Sequence, residues 1–276
     1  MTTNPARIAA LREELKRQKL DGFIIPLTDE HMSEYVGDYA HRLEWTTGFN
    51  GTAGNAVILT SHAAIFVDGR YTLQAKEQVD PNIIEDHHFE KYPLLDWTVD
   101  HTANGARIGY DAELATIGWQ QLAREKFASK NIELVSIEKN PVDQVWEDQP
   151  SAPLDLVIPH SEEHAGKSAA DKRSDIAEHI NKHGADAAII TMLDSIAWAF
   201  NIRGTDVKNT PVPHVFAILR ADESALLFVD EQKVDDTLRM HLGNSVEIKP
   251  RGAFYDYLGE LGASGKSVLV DPSSNN

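Results

Sequence analysis

The sequence predicts an α/β protein built from two tandem related domains, residues 1–150 and 154–276. Three observations carry this. Apolar residues at helical spacing precede short β-prone runs, the same order of elements occurs twice, and Pro150-Ser151-Ala152-Pro153 breaks regular structure between the two occurrences. A chain of 276 residues, 42% of them hydrophobic, is long enough to bury two cores.

The first copy opens with a helix whose apolar stripe is Ile8, Leu11 and Leu15, and enters a strand at Asp21-Gly22-Phe23-Ile24-Ile25. Trp45 then leads into WTTGFNGTAGN, with glycines at 48, 51 and 54. Phosphate-binding glycine loops open a helix. This one opens Ala56-Val57-Ile58-Leu59, and Ala64-Ile65-Phe66-Val67 follows Thr60-Ser61-His62, so the pattern predicts two strands of a hairpin. The glycines therefore serve tight turns and close backbone approach. A further strand ends at Asp111, and a helix around 118–123 and an alternating strand over 132–137 complete the copy.

The second copy repeats this order. Ile176 and Ile180 mark its helix, Asp186-Ala187-Ala188-Ile189-Ile190 its strand, WAFNIRGT its tryptophan turn, and a hairpin again ends in Phe-Val-Asp, at Phe228-Val229-Asp230. A strand closes at Asp271, after which no counterpart of 118–137 follows, so the second domain is expected to be incomplete at its C-terminus. Features present in both copies are expected to serve the fold. Asp29 and Asp194 read as caps accepting from free amides of a following turn, and Trp45 and Trp198 as core residues. The first copy alone carries about a dozen extra residues before Trp45, with His31, Glu34, Tyr35 and Arg42, and it alone has Gly69-Arg70-Tyr71 after its Phe-Val-Asp. Any ligand contact is expected in these additions.

Composition narrows the function. Acidic residues number 43 against 26 basic ones, and the net charge of −17 argues against binding nucleic acid or anionic lipid. No cysteine is present, which closes disulfide and thiolate chemistry. No apolar run approaches the roughly 20 residues needed to span a bilayer, and a cytoplasmic location is the expectation. Among the twelve histidines, His179 and His183 lie one helical turn apart but correspond to Glu14 and Gln18 in the first copy, so a solvated helix face is expected. Adjacent His87 and His88 point to opposite faces of a strand. No nucleophile motif occurs, so no catalytic residue and no metal ligand are assigned in this chain.

The runs DEHMSEY, WTTGFNGTAGNAV, VDGRYTLQA, NPVDQVWEDQP and LDSIAWAFNIRGTDVKNTPV, in this order, make the chain similar to the N-terminal region of the three-domain Xaa-Pro aminopeptidases of the creatinase/prolidase superfamily. The resemblance implies two creatinase N-terminal-like domains, each a mixed sheet flanked by helices. It also implies a C-terminal pita-bread catalytic domain, to which nothing in this chain corresponds, holding two divalent ions, usually manganese. The implied activity is release of the N-terminal residue from peptides with proline second. On that reading the chain alone is inert and shapes access to the active site. Arg70 contacts the peptide substrate, with His31 as a second candidate, and a homodimer of the full-length parent is left open. The alternative for Arg70 is a side chain that only holds its own loop against Asp68. A free-standing binding or assembly module of the same fold is the alternative.

Overall fold

The computed structural model describes residues 3–276, which divide into two compact units. The first holds Met1–Glu30, Asp38–Ser151 and Asn276; the second holds His31–Gly37 and Ala152–Asn275. The short segment 31–37, expected as an addition to the first domain, thus packs as part of the second.

In the first unit, α1 (Pro5–Arg17), capped by the Asn4 side chain, leads into β1 (Gly22–Pro26). There follow α2 (Arg42–Thr47), β2 (Gly54–Leu59), β3 (Ala63–Val67), α3 (Thr72–Gln78), β4 (Glu85–His88) and α4 (Leu94–His101). The unit closes with β5 (Arg107–Tyr110), α5 (Ile117–Phe127), β6 (Glu133–Ser136) and α6 (Pro141–Val145). The sheet order is β4-β3-β2-β1-β5-β6, antiparallel at β1–β2 and β2–β3 and parallel elsewhere. Helices cover both faces, so the strands are continuous apolar runs rather than alternating ones. Phe23 and Ile25 pack on one side with Leu11, Leu15, Trp45 and Val142. Ile24 packs on the other with Trp97, Ala123 and Phe127.

The second unit adds a small ribbon, β7 (Ile158–Pro159) paired with β9 (Ile202–Arg203), and a one-turn α7 (Glu162–Ala165) before the repeat begins. Then come α8 (Ala169–Lys182), β8 (Ala187–Ile190), α9 (Leu193–Phe200), β9 (Ile202–Arg203), β10 (Phe216–Arg220) and β11 (Ala225–Val229). The rest is α10 (Asp236–Leu242), β12 (Val246–Pro250), α11 (Phe254–Ala263) and β13 (Val268–Leu269). Its sheet order is β12-β11-β10-β8-β13, with the same sense at every pairing as β4-β3-β2-β1-β5.

The likeness extends to single hydrogen bonds. Asp21 N donates to Arg107 O at 2.8 Å, and Asp186 N to Ser267 O at 2.8 Å. The two carboxylates accept in return from Arg107 N at 2.7 Å and Ser267 N at 2.8 Å. Arg7 donates to the Trp45 carbonyl at 2.9 Å with its guanidinium 4.8 Å from the ring centre; Lys172 donates to the Trp198 carbonyl at 3.1 Å with its ammonium at 4.6 Å. One unit has been written twice, and Trp45 and Trp198 sit on equivalent helices.

Two expectations need correction. Asp194 lies inside the first turn of α9, where its carboxylate accepts from Ser195 N at 2.7 Å, while Met192 is the N-cap residue and makes no side-chain cap. Asp29 is fully buried just ahead of a turn. Of the two aspartates it is thus Asp194 that departs from the expectation, lying within its helix rather than at the cap position. Trp45 is 8% exposed, but Trp198 is 50% exposed, because Trp146 after α6 stacks on Trp45 at 5.7 Å and no described residue of the second unit does so for Trp198.

Trp45→Ala is expected to destabilise the first unit by about 3–5 kcal/mol, the usual cost of truncating a buried aromatic. Trp198→Ala is expected to cost the second unit about 1 kcal/mol or less, the scale of an exposed cation–π contact. Urea unfolding followed by hydrogen exchange in each unit checks both.

Candidate functional site

The hairpin β2–β3 delivers the 68–71 turn at the end of β3. Asp68 organises it: its Oδ1 accepts from Arg70 N at 2.8 Å and its backbone carbonyl accepts from Tyr71 N at 3.1 Å. The second unit builds the same turn, with Asp230 Oδ1 accepting from Gln232 N at 2.9 Å and Asp230 O from Lys233 N at 3.0 Å. Gln232 thus stands where Arg70 does, and Lys233 where Tyr71 does.

Tyr71 anchors the turn. Its ring meets Phe49 edge-on at 5.6 Å, and its hydroxyl lies 2.8 Å from Thr52 Oγ1. Gly51 makes this possible, since a Cβ there would stand 2.3 Å from the Phe49 ring and 2.7 Å from that of Tyr71. The glycine-rich stretch thus provides close approach of two rings. Gly48 adds the reversal after α2, at φ 84°, where a side chain would be strained.

Arg70 is carried outward by this arrangement, with its side chain 66% exposed. Its Nε and Nη2 donate to Asp68 Oδ2 at 2.9 and 2.6 Å, and the guanidinium lies 5.4 Å from the Tyr71 ring centre. The charged hydrogen bond from Arg70 holds the Asp68 carboxyl below the usual carboxylate range. Exposed donors on a permanently charged planar group can bind a carbonyl or carboxylate. Loop-holding and exposure coexist in one side chain.

His31 lies elsewhere. It is 1% exposed and packs within the second unit, its ring stacked against His214 at 5.5 Å and tilted on Phe216 at 4.4 Å. Its Nδ1 donates to the Thr191 carbonyl at 2.8 Å, which fixes the tautomer and lets Nε2 accept from Arg251 Nη2 at 3.2 Å. The burial of His31 argues for packing rather than for a ligand contact. Arg42, the arginine of the inserted segment, closes a bidentate pair with Asp143 of α6, at 2.8 Å for each bond. It sits in a polar cleft of about 510 Å³ shared with Asp111, whose pKa burial raises against an opposing hydrogen bond from Asn140. Sequence reasoning missed this cleft because its residues are far apart along the chain.

Histidines 179 and 183 occupy one face of α8, and His183 Nδ1 donates to its partner's backbone carbonyl at 2.9 Å. His87 packs between Phe66 and Tyr92, while His88 borders Gly69. Among the described residues, no group of three histidine, aspartate or glutamate side chains is placed to hold a metal ion. No helix among the described residues is long and apolar enough to cross a membrane.

Two outcomes test this assignment. The Asp68 carboxyl, followed by NMR, should titrate below the ordinary aspartate range and move back toward it in Arg70→Ala. Because its folded value lies below the unfolded one, the pair's stabilisation is complete above the unfolded value and disappears as pH falls through the folded one. His31→Ala should destabilise the second unit by about 1–3 kcal/mol, the cost of leaving the buried Thr191 carbonyl unmatched, as a lower urea midpoint.

Comparison with known proteins is consistent with this geometry. Residues 7–145 match the family model for the creatinase/prolidase N-terminal domain, and residues 148–276 match a second model of the same description. A probable Xaa-Pro aminopeptidase P of Coprinopsis cinerea is 38% identical over 96% of this chain, and one of Paracoccidioides lutzii is 35% identical over 98%. In both cases the chain spans 44% of the relative's length. The crystal structure of X-prolyl aminopeptidase from Caenorhabditis elegans, described as a cytosolic enzyme with a di-nuclear active site, superposes with a TM-score of 0.91 at 28% identity, covering 98% of this chain and 47% of that one. With two family-model matches that together span nearly the whole chain, and a repeated hydrogen-bond scheme to match them, the chain belongs to the creatinase/prolidase N-terminal domain family, carrying two such domains in tandem.

Proposed function

We propose that this chain is the non-catalytic N-terminal part of a proline-specific metallo-aminopeptidase, which releases the first residue from peptides with proline second. Support comes from relatives named as Xaa-Pro aminopeptidases that align with nearly all of this chain over under half of their own length. The two divalent ions of such an enzyme, manganese in this reading, belong to the remainder of the protein. This reading is supported by the described residues, among which no three histidine, aspartate or glutamate side chains are grouped to hold a metal ion. The location follows as cytoplasmic, in keeping with the cytosolic nematode enzyme.

Arg70 is the residue of this chain that touches substrate. The observation carrying this is the contrast between the two copies of one turn: Asp68 and Asp230 build it identically, yet only the first displays a guanidinium. The aspartate and the backbone bonds that shape the turn are common to both copies, so the turn itself does not require an arginine at this place. Asp68 orients it, and the guanidinium receives a peptide carbonyl or carboxylate.

The test is kinetic, on the full-length protein with an Xaa-Pro tripeptide or longer substrate. Arg70→Ala should lower kcat/KM by roughly 1.5–3 kcal/mol, the range for a hydrogen bond to a charged group, with an unchanged melting temperature. Wild-type kinetics in that variant remove the role of Arg70, and no Xaa-Pro hydrolysis by the wild type removes the whole reading.

A further inference from the structure

The two units differ in how one helical face is covered. In the first, Leu11 of α1, Ile25 of β1 and Trp45 of α2 are 0%, 1% and 8% exposed, because α6 lies over them with Val142 and Trp146 in the same core cluster. Trp146 stacks on Trp45, and Asp143 of α6 is clamped by Arg42 of α2. The counterparts in the second unit, Ile176, Ile190 and Trp198, line a groove of about 340 Å³ with Asp194, Ser195 and Ala199. Both isoleucines are only partly buried and Trp198 is half exposed. Lys172 holds the Trp198 ring as Arg7 holds that of Trp45, so the ring is presented in the same pose without its cover.

We propose that this groove is a docking site for one short helix, the counterpart of α6, supplied by the remainder of the full-length protein. The inference rests on the reading that a longer protein contains this chain. Repetition fixes the occupant's chemistry. It carries apolar side chains where α6 has Val142 and Val145, to fill the space above Ile176 and Ile190, and a large apolar or aromatic group over Trp198. Its charge should differ from that of α6. Ser195 replaces Arg42 at the equivalent position of α9, and the exposed Asp194 stands at the rim, so the incoming helix carries a basic residue near the place of Asp143 rather than an acidic one.

Hydroxyl-radical footprinting read by mass spectrometry at individual tryptophans tests this. In the present chain Trp198 should be oxidised readily and Trp45 hardly. In the full-length protein Trp198 should be protected at least fivefold, approaching Trp45, with Trp45 unchanged. Equal oxidation of Trp198 in both forms overturns the proposal. Protection in the present chain that grows with its own concentration also overturns it, giving the face to a second copy. A full-length protein lacking Xaa-Pro hydrolysis but protecting Trp198 fails the functional reading alone and leaves the docking site standing.

Discussion

The first unit depends on holding one tryptophan down on a helix too short to hold itself. α2 has six residues, far below the length at which an isolated helix is stable, so its position comes from packing. Trp45 supplies that packing, with the Arg7 guanidinium on its ring and Trp146 stacked against it. Three elements, α1, α2 and the segment after α6, are thereby fixed over one face of the sheet. The consequences run forward along the chain. Gly48 reverses the backbone after α2 and delivers Phe49 to the core, where it is fully buried. Tyr71 packs on Phe49, and the turn that bears Arg70 is tied to Tyr71. A guanidinium at the surface is in this way registered to the core through rigid aromatic contacts rather than through a flexible loop.

Comparing the copies separates what the fold requires from what was added to it. The mutual bonds of Asp21 with Arg107 and of Asp186 with Ser267 pin the first strand to its parallel neighbour in each unit, and a backbone amide serves equally well from either residue type. The turn after the hairpin is likewise common property. What differs is what the turn presents. Where the first unit has Tyr71 beneath an exposed arginine, the second buries Lys233 to 1% exposure and pairs it with Asp206. Burial depresses the Lys233 pKa and the carboxylate opposes that depression. The cation of the second unit's turn is thus turned inward to structural use, which leaves the first unit's turn as the one that presents a guanidinium.

The duplication, the hairpins and the leading helices were legible in the sequence, because each is set by local periodicity and by turn residues near in the chain. Three features were not. The segment 31–37 follows a first-unit strand that ends at Pro26, yet the partners of its His31 are Thr191, His214, Phe216 and Arg251. Chain order carries no trace of that. Asp29 and Asp194 align in sequence but diverge in burial, since one is fully buried and the other lies exposed on the first turn of α9. Trp45 and Trp198 match for the same reason and diverge for the same reason. Whether a tryptophan is core depends on what lies over it, and its cover, Trp146, comes from about a hundred residues downstream. The Arg70 turn was legible as a difference between copies, but its anchoring by Phe49 and Tyr71 over Gly51 was not.

The pairing of Arg70 with Asp68 bears directly on how an arginine of this kind can act. An ion pair at the surface is screened and weak, so a substrate carboxylate or carbonyl can take over the guanidinium donors at small cost. The same pair nevertheless removes most of the rotamer freedom that a bare arginine would have to surrender on binding. Asp68 also accepts from the backbone of Arg70 itself, so its position does not depend on the side chain it orients. Exchange of the guanidinium toward a ligand would leave the turn intact, and the Tyr71 ring remains beside it as a second surface. Pre-orientation by a replaceable partner is therefore a working arrangement for recognition, and it explains why the loop-holding contact and the proposed substrate contact can belong to one residue.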